Sequence, residues 1–209
     1  NANGNRYIYT AIRRPDGYVG KPPSAGTDVF TLVNGTSDSS VPAFVSPSAT
    51  DFVIMRNPSI SENWWTQSRM TGAGYFITNS SSSEATSTPN KWDYSNGFYS
   101  ATGDWSSYQA WMWKRGQGFD FVTYTGGGSG DTITHGLNSV PEMIWVKSRG
   151  SSQEWAVYHK GLNGGSTPED YYLELDNSNG EADGSNRWND TAPTSTTFTV
   201  GGSNNTGNG

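Results

Sequence analysis

The run Gly118-Phe119-Asp120-Phe121-Val122-Thr123-Tyr124 puts Phe119, Phe121 and Thr123 on one side of an extended chain. Asp120, Val122 and Tyr124 fall on the other. Side chains alternate across a strand with a period of two, so this run predicts a β-strand. Working outward, similar short runs fall at residues 7–12, 29–33, 51–56, 74–78, 108–113, 142–147, 154–159, 171–175 and 197–200. Gly, Asn, Ser and Pro punctuate the chain between them, and no window keeps apolar residues at helical spacing over three turns. Short strands between turn residues indicate an all-β protein, an antiparallel sandwich or jelly roll.

Composition supports an ordered chain with a thin core. Only 32% of the 209 residues are hydrophobic, but charged residues are also few, at 15%. Gly, Ser, Thr and Asn take up the difference, while 9 Trp, 11 Tyr and 8 Phe remain. Disorder needs low hydrophobicity with few aromatics and high net charge. A ring removes a large area from water, so few large side chains can build a core. The net charge of −6, with no basic run longer than Arg13-Arg14 or Lys114-Arg115, argues against nucleic-acid binding. No apolar run approaches the ~20 residues of a membrane helix. With no cysteine, disulfides and thiolate metal sites are excluded.

The order of motifs repeats at about 100 residues. Arg6-Tyr7-Ile8-Tyr9-Thr10-Ala11-Ile12-Arg13-Arg14 aligns with Ser107-Tyr108-Gln109-Ala110-Trp111-Met112-Trp113-Lys114-Arg115. Val29-Phe30-Thr31-Leu32 corresponds to the Phe119 run, and Val41-Pro42 with Phe52-Val53-Ile54-Met55-Arg56 to Val140-Pro141 with Met143-Ile144-Trp145-Val146-Lys147. Trp64-Trp65 then matches Trp155, and Trp92 matches Trp188. Two tandem modules are expected, over residues 1–116 and 117–209. Residues 1–15 carry the closing strand of a preceding or neighbouring module, and the second module lacks its own. Either the chain is an excerpt of a longer array, or Tyr7, Ile8, Tyr9 and Ile12 form an assembly strand that fills the second module, in cis or from a neighbour.

The blocks from Gly118 to Thr125-Gly126, Ile133-Thr134-His135-Gly136-Leu137, Val140 to Lys147, Trp155-Ala156-Val157-Tyr158-His159, Trp188-Asn189-Asp190-Thr191-Ala192-Pro193 and Phe198-Thr199-Val200-Gly201 resemble a repeat domain of structural proteins from marine tailed bacteriophages. Tyr7-Ile8-Tyr9-Thr10-Ala11-Ile12-Arg13-Arg14-Pro15 is similar to that domain's last strand. The resemblance is close over residues 117–200 and diffuse over 16–105. It implies a concanavalin-like sandwich in a virion component such as a tail fibre, at the virion surface or outside the cell. It supplies no catalytic or ligand-binding residue.

Tests for chemistry point away from an enzyme. Glu174-Leu175-Asp176 resembles the start of the Glu-x-Asp-x-x-Glu strand of laminarinase-like glycosidases, but Asn179 stands at the acid position. His135 and His159, the two histidines, have no Gly-x-Ser-x-Gly elbow and no zinc spacing. The oxygen-rich run from Asp176 to Asp183 misplaces its glycine for a calcium loop. No catalytic residue, metal or cofactor is expected. The aromatics offer a second role. Asn63-Trp64-Trp65-Thr66-Gln67 and Trp92-Asp93-Tyr94-Ser95-Asn96 read as loops in which Trp64, Trp65, Trp92 and Tyr94 could stack on sugar rings. Adjacent Trp64 and Trp65 must point to opposite sides of an extended chain. The expected partners are therefore the protein itself and a host-surface glycan, with neither nucleic acid nor membrane. The leading expectation is a self-assembling structural repeat of a fibre, with a glycan-binding adhesin as the alternative.

Overall fold

The structure, a computed structural model, describes residues 28–37, 42–86, 92–98, 104–128 and 130–207. In chain order the strands are β1 (Phe30–Asn34), β2 (Phe44–Val45), β3 (Phe52–Arg56), β4 (Trp65–Ser68), β5 (Gly74–Ile77), β6 (Ala85–Thr86), β7 (Gly97–Phe98) and β8 (Gln109–Trp113). They continue with β9 (Asp131–Thr134), β10 (Met143–Val146), β11 (Ala156–His159), β12 (Tyr171–Glu174), β13 (Ala182–Asp183) and β14 (Thr197–Val200). Helix among the described residues is limited to α1 (Ser185–Trp188), two short 3-10 turns and the 3-10 residue Asp28. The protein is all-β, with antiparallel sheets, as its spacing of short apolar runs predicts.

The first half is organised by a six-stranded sheet in the order β1-β8-β3-β4-β5-β6. β8, last in sequence, lies between β1 and β3, so Phe30, Trp113 and Phe52 stand abreast, as do Leu32, Trp111 and Ile54. Alternation sends Val33, Val53, Met55, Ala110 and Met112 to the opposite face. There they meet Phe44 and Phe98 from the β2–β7 pair, and the Trp92 ring lies 4.6 Å from Phe98. This cluster is the first core.

The second half has a four-stranded sheet, β10-β11-β12-β13, and a separate β9–β14 pair. Ile133, Val146, Ala156, Tyr158, Trp188, Phe198 and Val200 form the second core, and Val122 and Tyr124 pack against it. Trp188 reaches it from α1 and meets Tyr158 edge-on at 6.0 Å. Rings supply much of the volume in both clusters, as the low aliphatic content requires.

Two sequence expectations need correction. The run at residues 119–124 is not a ladder strand; Phe119 makes only an isolated bridge with Gly116. Its alternation is nonetheless real, since Phe119 and Phe121 stack on Phe52 while Val122 and Tyr124 face the second core. Hydrophobic patterning records which faces are covered, not whether a neighbouring strand supplies hydrogen bonds. Conversely, Trp65 to Gln67 do not form a loop but lie in β4, paired with both β3 and β5. Its buried polar side chains are satisfied locally: Thr66 Oγ1 donates to Val53 O at 2.9 Å and Ser68 Oγ bonds Thr71 Oγ1. The expected assembly strand, Tyr7, Ile8, Tyr9 and Ile12, lies outside the described residues.

Candidate assembly groove

β10 is an edge strand with a neighbour on one side only among the described residues. Its counterpart in position, β3, lies between β8 and β4 and has Phe52, Val53, Ile54 and Met55 all buried. In β10, Met143 is 52% exposed and Trp145 37%, and nearby Val140 is 55% exposed. Exposed apolar edges are costly in an isolated protein, because they template pairing with another strand. Facing β10 across an open groove of about 1200 Å³ is the extended stretch at residues 119–126. That stretch has no ladder partner either among the described residues.

The groove is apolar in its walls and polar at its ends. Tyr124 donates its hydroxyl to Thr206 O at 2.6 Å, and burial, helped by the charge of Asp131, pushes its pKa up. At the same end Gly126 packs so closely that an added Cβ would fall 2.2 Å from Gly207 O. The first half contains a similar approach, where a Cβ on Gly35 would fall 2.3 Å from Trp105 O. His135 is buried against Phe198 and takes a hydrogen bond on Nδ1 from Leu137 N. Its Nε2 has no partner among the described residues. At the other end of β10, Lys147 Nζ donates to Ser81 O and Ser148 O. Burial lowers the Lys147 pKa, against the opposing pull of Asp176 and Glu154. This arrangement offers main-chain donors and acceptors beside apolar side chains, which is the chemistry that accepts an added strand.

The four candidate sugar-binding residues do not form one platform. Trp92 is buried in the first core, with its Nε1 donating to Gly72 O at 3.4 Å, so its ring offers no free face to a sugar. The sequence places it among Asp93, Ser95 and Asn96, which reads as surface; the ring instead plugs the gap beside Phe98. Trp65 packs on the same core and lies 5.0 Å from Tyr75. Trp64 is on the other side, against Trp111 and under the Arg56 guanidinium at 4.8 Å. Tyr94 is half-buried.

The carboxylates singled out in the sequence hold loops. Glu174 accepts from the side-chain amides of Asn177 and Asn179 and pairs with Arg187 at 3.6 Å. Asp176 Oδ1 caps Trp155 N at 2.9 Å. His159 Nδ1 accepts from Gly161 N. Among the described residues no three His, Cys, Asp or Glu side chains converge as metal ligands. What the sequence reading passed over is the exposed face of β10. The available signal was that Met143-Ile144-Trp145-Val146 is apolar at every position, where a strand with one solvated face would alternate.

The fold and groove thus define an all-β protein of short antiparallel strands in which β10 is an apolar, exposed sheet edge among the described residues. The chain belongs to a family described as a domain of unknown function, DUF7483, which matches residues 100–209. No curated protein matches the chain, and no solved structure does.

Proposed function

We infer that the chain is a structural repeat protein, two tandem β-sandwich modules of a virion fibre or extracellular filament that assembles through strand exchange. The observation that carries this reading is a shared register. One constant step along the chain takes the pairs Phe52↔Ser68 and Met55↔Trp65 onto Met143↔His159 and Val146↔Ala156. The next hairpins correspond as well, with Gly74↔Thr86 and Tyr75↔Ala85 against Tyr171↔Asp183 and Tyr172↔Ala182. Local bonds follow the same correspondence: Trp64 N donates to Asn79 Oδ1 and Trp155 N to Asp176 Oδ1, both at 2.9 Å. The Arg69–Asp51 ion pair has its counterpart in Lys160–Glu142. In the first module β8 completes the sheet; the second module has no counterpart of it among the described residues. This correspondence supports a division into modules over residues 1–116 and 117–209. The virion setting rests on the sequence resemblance to phage repeat domains, and no enzymatic role is proposed.

The test is the solution mass of the purified chain by light scattering, with electron microscopy of the same sample. Masses above 22.6 kDa that grow with concentration, or filaments, are expected. A monomer at every concentration would count against a building block.

A further inference from the structure

The register of the first module specifies what the groove of the second can hold. There β8 lies between β1 and β3, with Trp111 between Leu32 and Ile54 and Trp113 between Phe30 and Phe52. The second module presents the same two flanking elements, residues 119–125 and β10, with the groove between them. The segment Tyr7-Ile8-Tyr9-Thr10-Ala11-Ile12 is aligned in sequence with β8 and its preceding Tyr108. Resting on the repeat reading above, we propose that this groove takes residues 7–12 of a second copy of the chain as an added antiparallel strand, in the register of β8. Thr10 then stands between Thr123 and Trp145, and Ile12 between Phe121 and Met143. Tyr9 and Ala11 face the second core beside Tyr124, Val122, Ile144 and Val146.

Three observations favour this occupant. The first is size. Where β8 places the large Trp111 against Ile54, the donor places the small Thr10 against the large Trp145, so the summed volume is shared out differently along one row. The second is a carboxylate that receives the main chain just past the strand. Arg115, just after β8, donates its backbone N–H to Asp51 Oδ2. Arg14 follows the donor strand at the same distance, and Glu142, which holds Lys160, occupies the position of Asp51. The third is succession. β8 runs on through residues 114–118 into the extended stretch that opens the second module. Residues 7–12 likewise precede β1, which opens the first. Donation from a second copy therefore seats that copy's first module after the acceptor's second, as the second follows the first within one chain. Such a heterologous contact does not close on itself, and it propagates as a head-to-tail filament.

The chain has no cysteine, so introduced thiols report on contact without background. Thr10→Cys and Thr123→Cys chains, prepared separately, mixed and oxidised, should give a covalent heterodimer on a non-reducing gel. The mixture of Thr10→Cys with Thr125→Cys, two residues out of register and beyond disulfide reach, should give about tenfold less. Thr123 and Thr125 are both exposed, and each variant should unfold like the parent, so a lost signal cannot be put down to misfolding. No heterodimer, or equal yields with both partners, would overturn the proposal. So would a Thr10→Cys/Thr123→Cys double variant that closes only within its own chain. Filaments that form without the Thr10–Thr123 link would sink strand donation but leave the repeat reading standing. A dilution-independent monomer would remove both.

Discussion

Trp92 and Trp64 are both flanked by Asn, Asp or Gln in sequence, and their environments differ completely. Trp92 fills the first core beside Phe98, while Trp64 lies partly exposed under Arg56. Truncating a buried ring to alanine costs about 3–5 kcal/mol. A surface cation–π contact is worth ~0.5–1 kcal/mol. Trp92→Ala should therefore lower urea-unfolding stability several-fold more than Trp64→Ala, and an equal loss would contradict the burial of Trp92. Lys147 gives a residue-scale test by pH. Its folded pKa lies below the unfolded value of 10.5 because burial penalises the ammonium. Between the two values the unfolded chain binds more protons, so this group adds stability as pH rises and costs stability below that window. Lys147→Met removes the effect. The stability of the parent minus that of the variant should thus increase as pH rises from the lowered folded value toward 10.5. A flat or falling difference in urea midpoints across that window would show that the lysine is solvated.

At the scale of elements, the short β2–β7 pair shows how much depends on one backbone position. Gly97 has φ +147, and an added Cβ would fall 2.1 Å from Phe44 O, the carbonyl preceding its cross-strand partner Val45. Gly97→Ala should cost about 2–3 kcal/mol through strain and loss of the pair that carries Phe44 and Phe98 into the core. A change in melting temperature too small to resolve would mean the pair can shift without cost. That two-residue strand was not legible in the sequence, because a run so short carries no period. β3, β8 and β14 were legible, since each alternates or is apolar throughout over four or five residues. β4 was not, because Thr66, Gln67 and Ser68 are polar yet buried, and patterning reads polarity as exposure. The groove was half legible. The phase of the repeat pointed to a second module without its closing strand. The all-apolar run at Met143 to Val146 signalled that both faces need a cover, but not that one cover is missing beside Met143 and Trp145 among the described residues.

Across the whole molecule, the two halves share a contact built from a few side chains. Phe52 stacks on Phe119 and Phe121 at 5.5 and 5.4 Å. Trp155, outside the second core cluster, meets Phe76 edge-on at 5.7 Å and donates its indole N–H to Ile77 O at 3.0 Å. Arg149 grips Glu84 through two nitrogens, and Glu84 N donates to Arg149 O. Each half has its own core, so each can unfold on its own unless this contact is worth more than the difference between their stabilities. The buried Trp155 is the side chain whose loss weakens the contact most without emptying either core. Calorimetry of the parent should show one endotherm. Trp155→Ala should split it in two, because the halves then melt at their own temperatures. Arg149→Ala, which removes a partly exposed ion pair, should leave a single endotherm shifted by the ~1 kcal/mol or less that such a pair contributes. A single endotherm in Trp155→Ala, shifted as a whole, would mean that the stacking of Phe52 on Phe119 and Phe121 is sufficient to unfold the two halves together. The connection from β8 into residues 116–124 would then be a rigid joint, and a filament of such modules would be stiff rather than beaded.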